Sequence, residues 1–97
     1  MGARIANYHI LGDVEAELNK ARGAFPDPVD SLPALVEEVG ELSQALLQHK
    51  HQPLKNITHR DIYNEAIQVA VMAIRVASEG DPNFTYEPVK GYKGGKP

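Results

Sequence analysis

Cysteine is absent from this 97-residue chain, so neither a disulfide framework nor a thiolate zinc site can be built from it. An excess of positive charge is lacking too: 10 Lys and Arg stand against 13 Asp and Glu, for a net charge of -3. Duplex nucleic acid would want a basic face, so no nucleic acid is expected among the partners. No apolar run approaches membrane-spanning length, and the opening MGARIANYHI holds no signal-peptide stretch. Ala6 spoils a myristoylation motif, and Asn56-Ile57-Thr58 would accept a glycan only in a secreted chain. The expected setting is therefore reducing and cytoplasmic, with no membrane partner. Internal repeats, strand-like alternation, a G-x-x-x-x-G-K-S/T phosphate loop and a G-x-S-x-G nucleophile motif are also missing.

What is present reads as one small all-α domain over residues 1–97. At 42% apolar and 24% charged the composition is that of a globular chain. Residues 10–24 predict a first helix, with Val14, Leu18 and Ala21 recurring at helical spacing. Phe25-Pro26-Asp27-Pro28 stops it, since each proline biases its predecessor away from helix. Asp30 or Ser31 can cap a second helix over 31–49, where Pro33 sits harmlessly in the first turn. A polar connection broken by Pro53 follows. Thr58 and Asp61 form a capping pattern that opens a third helix over 58–79, with Gly80 as its stop. The proline- and glycine-rich tail, 81–97, is expected to be irregular, with Phe84 and Tyr86 as its points of attachment.

The third helix carries the first functional signal. Its stretch AIQVAVMAIRVA, residues 66–77, is apolar on nearly every side, which predicts burial all round. A chain this short cannot surround such a helix alone, so a homo-oligomer is expected to complete the core. At about 100° per residue, Asp61, Glu65, Gln68, Met72 and Arg75 fall in one stripe roughly 80° wide. A carboxylate, an amide and a guanidinium on one line of a buried helix need partners or a ligand.

The second helix supplies the complement. Leu35, Val39, Leu42 and Leu46 make an apolar face, with Glu37, Glu38 and Glu41 on the adjacent flank. Glu38 and Glu41 are three apart, so their carboxylates can converge on one point. Hard cations such as Mg²⁺ or Mn²⁺ take oxygen ligands, and carboxylates from two facing helices are one way to supply them. A solvated acidic face is the plainer account of the glutamates taken alone. The pair Glu38/Glu41 on one helix and Glu65/Gln68 on the next, with matching spacing, is the stronger signal.

This arrangement resembles the MazG-like all-α nucleoside triphosphate pyrophosphohydrolases. Glu37-Glu38-Val39-Gly40-Glu41 matches the family's E-E-x-x-E, and Glu65 matches the first position of its later E-x-x-D. The string EAIQVAVMAIR, residues 65–75, looks like small phage and bacterial members. The resemblance covers residues 32–80, about half the chain. It implies a helical bundle completed as a dimer or tetramer, and attack of water on the α-phosphorus of a nucleoside triphosphate. Glu38, Glu41 and Glu65, with Gln68, would be the metal ligands, Mg²⁺ or Mn²⁺ the cofactor, and Glu37 would hold a second cation or orient water. Gln68 departs from the family's Asp and brings no charge; Asp61, one turn before Glu65, is the candidate compensating acid.

Arg75 is the foremost candidate for a phosphate contact, with Lys20, Arg22, Lys55 and Arg60 behind it; the tail lysines Lys90, Lys93 and Lys96 could fold over a triphosphate, but a solvated tail is the favoured reading. Tyr8, His9 and Phe25 are candidates for stacking on a base, with packing the favoured reading of Phe25. A zinc site from His49, His51 and His59 is disfavoured by the polar connection they occupy. The expected activity is metal-dependent cleavage of canonical or modified deoxynucleoside triphosphates, purines included, to monophosphate and pyrophosphate. The alternatives are a dimeric dUTPase-like hydrolase on the same scaffold, and a non-catalytic helical scaffold that lost the chemistry at Gln68.

Overall fold

The computed structural model describes residues 5–27 and 31–88, without the side chains of Ser31 and Leu32. All of its regular structure is helical, and no strand occurs among the described residues. Helix α1 spans Asn7–Ala24, α2 spans Ser31–His51 and α3 spans His59–Glu79; a 3₁₀ turn, Pro53–Lys55, sits in the connection before α3. The expected helix ends are met within three residues. The tail lysines Lys90, Lys93 and Lys96, and the candidate cap Asp30, lie outside the described residues.

The helix ends follow from local chemistry. Thr58 stands in extended backbone, and its side chain accepts from the Asp61 amide while Asp61 reaches back to the Thr58 amide. That reciprocal box satisfies two of the donors left over at a helix start. At the other end Gly80 keeps a right-handed conformation and donates its N–H to the Val76 carbonyl. A Cβ at Gly80 would lie 2.5 Å from that carbonyl oxygen, so glycine is needed for close approach. Asn56 takes the left-handed conformation, φ 60°, that closes the 3₁₀ turn.

Helix α3 is the centre of the molecule. Along their lengths α1 and α2 make no contact with one another; each leans on α3. The hydrogen bonds Tyr63 to Asp13, Gln68 to Glu17 and Arg22 to Ser78 and Glu79 show α1 and α3 running in the same direction. The α2–α3 hairpin is antiparallel, as its short connection requires. Val14, Ile67 and Val71 form the core between α1 and α3, with Ile10, Leu18 and Ala21 packed against them. Ala45 and Ile62 are buried as well.

Three expectations change. Helix α3 is not buried all round in the single chain: Ile62, Ile67, Val71 and Arg75 are buried, while Ala66, Ala73 and Ala77 are exposed. Two neighbours cover only two of its sides. Helix α2 is also rotated from its expected face: Ala45 is buried and Glu38 half-buried, whereas Val36, Val39, Leu46 and Leu47 are exposed. The inward face runs through Leu35, Glu38, Leu42 and Ala45, so half of the expected apolar face stays half-buried while Val39 and Leu46 turn outward. Phe84 and Tyr86 are exposed instead of attaching the tail, which over 81–88 makes only a turn at Asp81.

Candidate functional site

Because α1 and α2 diverge from α3 without touching, a groove of about 610 Å³ opens between them. Gln68, Met72 and Arg75 form its floor, so the later part of the α3 stripe faces this groove, while Asp61 and Glu65 lie outside its lining. Glu37, Glu38 and Ala34 line its α2 side; Ala21, Ala24, Phe25, Pro26 and Asp27 line the end of α1 and the segment after it. The volume is that of a small-molecule site.

The glutamates of α2 converge as their spacing requires. Carboxylate oxygens of Glu37, Glu38 and Glu41 all lie within 4.8 Å of one another, and Glu65 meets Glu41 across the helix interface. Burial pushes the Glu38 carboxyl up to about 7, helped by the negative charges of Glu41, Glu65 and Glu37. Glu65 is raised as well, by burial first and then by Glu41. One oxygen of Glu38 and one of Glu65 are sealed from solvent with no donor group paired to them, and the side chain that both carboxyls meet is another carboxylate, Glu41. Buried acceptors are ordinarily satisfied, so two orphaned carboxylate oxygens facing a like-charged cluster constitute an electrostatic deficit. A divalent cation fits it: the donors are hard oxygens, they converge, and the charge they carry is uncompensated.

The other sequence candidates are dispersed. Gln68 lines the groove, but its Nε2 donates to Glu17 of α1 at 2.9 Å. Asp61 lies one turn from Glu65 on exposed surface, with its carboxylate engaged by the Thr58 amide and hydroxyl, which hold its pKa down. Arg75 is 3% exposed, and its Nε and Nη2 both donate to Glu79 on the same helix. It is paired within the chain and needs no neighbouring subunit for that. Arg22 reaches the same Glu79 at 2.9 Å and Ser78 at 2.9 Å. Lys20 lines a second, shallower groove with Asp13, Glu17, Arg60 and Tyr63. The His49 ring donates Nδ1–H to the Ile57 carbonyl at 2.6 Å, and no described histidine joins a metal-ligating group. Tyr8 stacks at a tilt on His9, away from the groove lining, whereas Phe25 stands on its rim.

Two residues of consequence were missed from the sequence, Glu17 and Glu79. Glu79 had a signal, the i,i+4 spacing to Arg75. Glu17 had none, because its meeting with Gln68 depends on the register between α1 and α3. Compared with known proteins, the chain matches no family model, no curated protein and no solved structure. No described helix is long and apolar enough to cross a membrane.

Proposed function

We propose that this chain is a metal-dependent nucleoside triphosphate pyrophosphohydrolase of MazG-like type, working in the cytoplasm as a homo-oligomer. The observation that carries the reading is the pair of orphaned, buried oxygens on Glu38 and Glu65 beside Glu41 and Glu37, a cluster whose Glu37 and Glu38 also line a nucleotide-sized groove. Glu38, Glu41 and Glu65 would hold Mg²⁺ or Mn²⁺. A cation bound there supplies the positive charge that phosphoryl transfer needs around the phosphates.

The protein's own residues do the rest. Glu37, an exposed member of the trio that also lines the groove, accepts a proton from the water that attacks the α-phosphorus. The bond from the α-phosphorus to the oxygen bridging to the β-phosphorus breaks, releasing monophosphate and pyrophosphate. Arg75 borders the groove and meets a phosphate by exchanging its bond to Glu79, with Arg22 at the same carboxylate. Lys20 faces the second groove and takes a smaller share of the field.

Oligomerisation is supported by α2, whose Val36, Val39, Leu46 and Leu47 share one face and are left exposed. The non-catalytic scaffold has one observation in its favour: the Gln68 amide donates its Nε2–H to Glu17 of α1, which ties that side chain to the helix packing and leaves only its Oε1 for a cation.

The test is pyrophosphate release from a panel of ribo- and deoxynucleoside triphosphates with Mg²⁺, with Mn²⁺ and with chelator. Metal-dependent release of monophosphate and pyrophosphate is expected, and Glu38→Gln should lower it by about 100-fold or more. No turnover of any triphosphate by folded protein would leave the scaffold.

A further inference from the structure

The groove is chemically uneven along its length. Glu37, Glu38 and Gln68 mark its polar end. Arg75 follows seven residues on, about 10 Å along α3 at a rise of ~1.5 Å per residue. Beyond the glutamates the walls turn apolar, with Ala34 and Met72 across from Ala21 and Ala24, and the chain then leaves α1 at Phe25. The Phe25 amide is fixed to the Ala21 carbonyl at 2.8 Å, so the backbone there is anchored while the ring is left 71% exposed. Pro26 stiffens the next step, and Asp27 stands on the same rim. An anchored, solvent-facing aromatic beside a carboxylate, at the far end of a groove that begins in acids, has the layout of a base site: a flat face to stack on, and an acceptor to read the edge.

We infer that Phe25 and Asp27 form the base-recognition end of the groove and select guanine nucleotides, an inference that rests on the nucleotide reading of the glutamate cluster. Stacking on Phe25 accepts any base; Asp27 makes the choice. Guanine presents two adjacent donors, N1–H and the N2 amino group, and the two oxygens of a carboxylate accept both. Adenine and cytosine set a ring acceptor beside their amino group, which a carboxylate repels. Thymine offers one N–H between two carbonyls. The phosphates then lie toward Glu37 and Glu38, with Arg75 between them and the base.

The chain has no tryptophan, so Phe25→Trp places a single fluorescent reporter on the rim. Titration of that variant with dGMP in Mg²⁺ should quench the indole emission saturably, with dAMP, dCMP and dTMP binding about tenfold more weakly. Adding Asp27→Asn should bring dGMP down to the level of the others, and in the wild-type background Phe25→Ala should weaken dGMP about tenfold by calorimetry. An unquenched indole, or equal quenching by all four monophosphates that Asp27→Asn does not alter, overturns the site. Pyrophosphate release by the wild type is read alongside. Quenching without hydrolysis upholds the guanine site and removes the hydrolase; hydrolysis without quenching does the reverse.

Discussion

At the scale of single residues the decisive one is Glu38. Its carboxyl titrates near 7 in the fold, against 4.5 when exposed, so the folded chain holds a proton there that the unfolded chain has released. Stability from this group is therefore present below about pH 4.5 and is lost as pH rises through about 7. The metal-free protein should melt at lower temperature at pH 8 than at pH 6, and Glu38→Gln should flatten that slope and add about 1–2 kcal/mol at pH 8. Mn²⁺ or Mg²⁺ should raise the wild-type midpoint at pH 8 by mass action and leave that of the Gln variant unmoved. A shift that survives the substitution would place the cation elsewhere. Gln68 is the second instructive residue: its spacing marked its oxygen as a ligand, but said nothing of Glu17, which takes the amide N–H from another helix.

At the scale of elements the sequence was most transparent at the helix ends and least so in helix rotation. The Thr58–Asp61 box is local chemistry, complete within four residues, and could be read directly. Thr58→Ala should cost about 1 kcal/mol in denaturant unfolding, the ordinary worth of an N-cap. The inward face of α2 was harder to read, because its leucine and glutamate stripes adjoin, and the choice falls to how closely α3 can approach Ala45. The Arg22–Glu79–Arg75 cluster joins α1 to α3 and has the same non-local character. Glu79→Gln leaves the buried Arg75 guanidinium without its countercharge. It should destabilise the chain by about 1–3 kcal/mol, less than a fully buried pair because Glu79 keeps 20% of its side chain in solvent.

At the scale of the whole molecule the outstanding fact is how little each helix covers. Only five apolar residues of the described chain are buried, Val14, Ala45, Ile62, Ile67 and Val71. A core this thin fits a protomer that finishes its burial against another copy. Val39→Glu together with Leu46→Glu should shift the protein to a smaller species, with a lower sedimentation coefficient and a Tm that no longer depends on concentration. Unchanged sedimentation would place the interface off α2. The apolar run of α3 predicted burial on every side, but two neighbours leave Ala66, Ala73 and Ala77 exposed, and which surface of α2 stays bare depends on that helix's rotation, which the sequence pattern does not set.

The lack of contact between α1 and α2 bears on the order in which the chain opens. The α2–α3 hairpin closes over a short connection, whereas α1 reaches α3 only across the whole of α2 and adheres through Val14, Leu18 and a few polar bridges. Amide exchange should therefore run fastest in α1, as a unit that lifts away while the hairpin stays folded. Since α1 is also one wall of the groove, the same lifting would be the door through which a ligand enters and a product leaves.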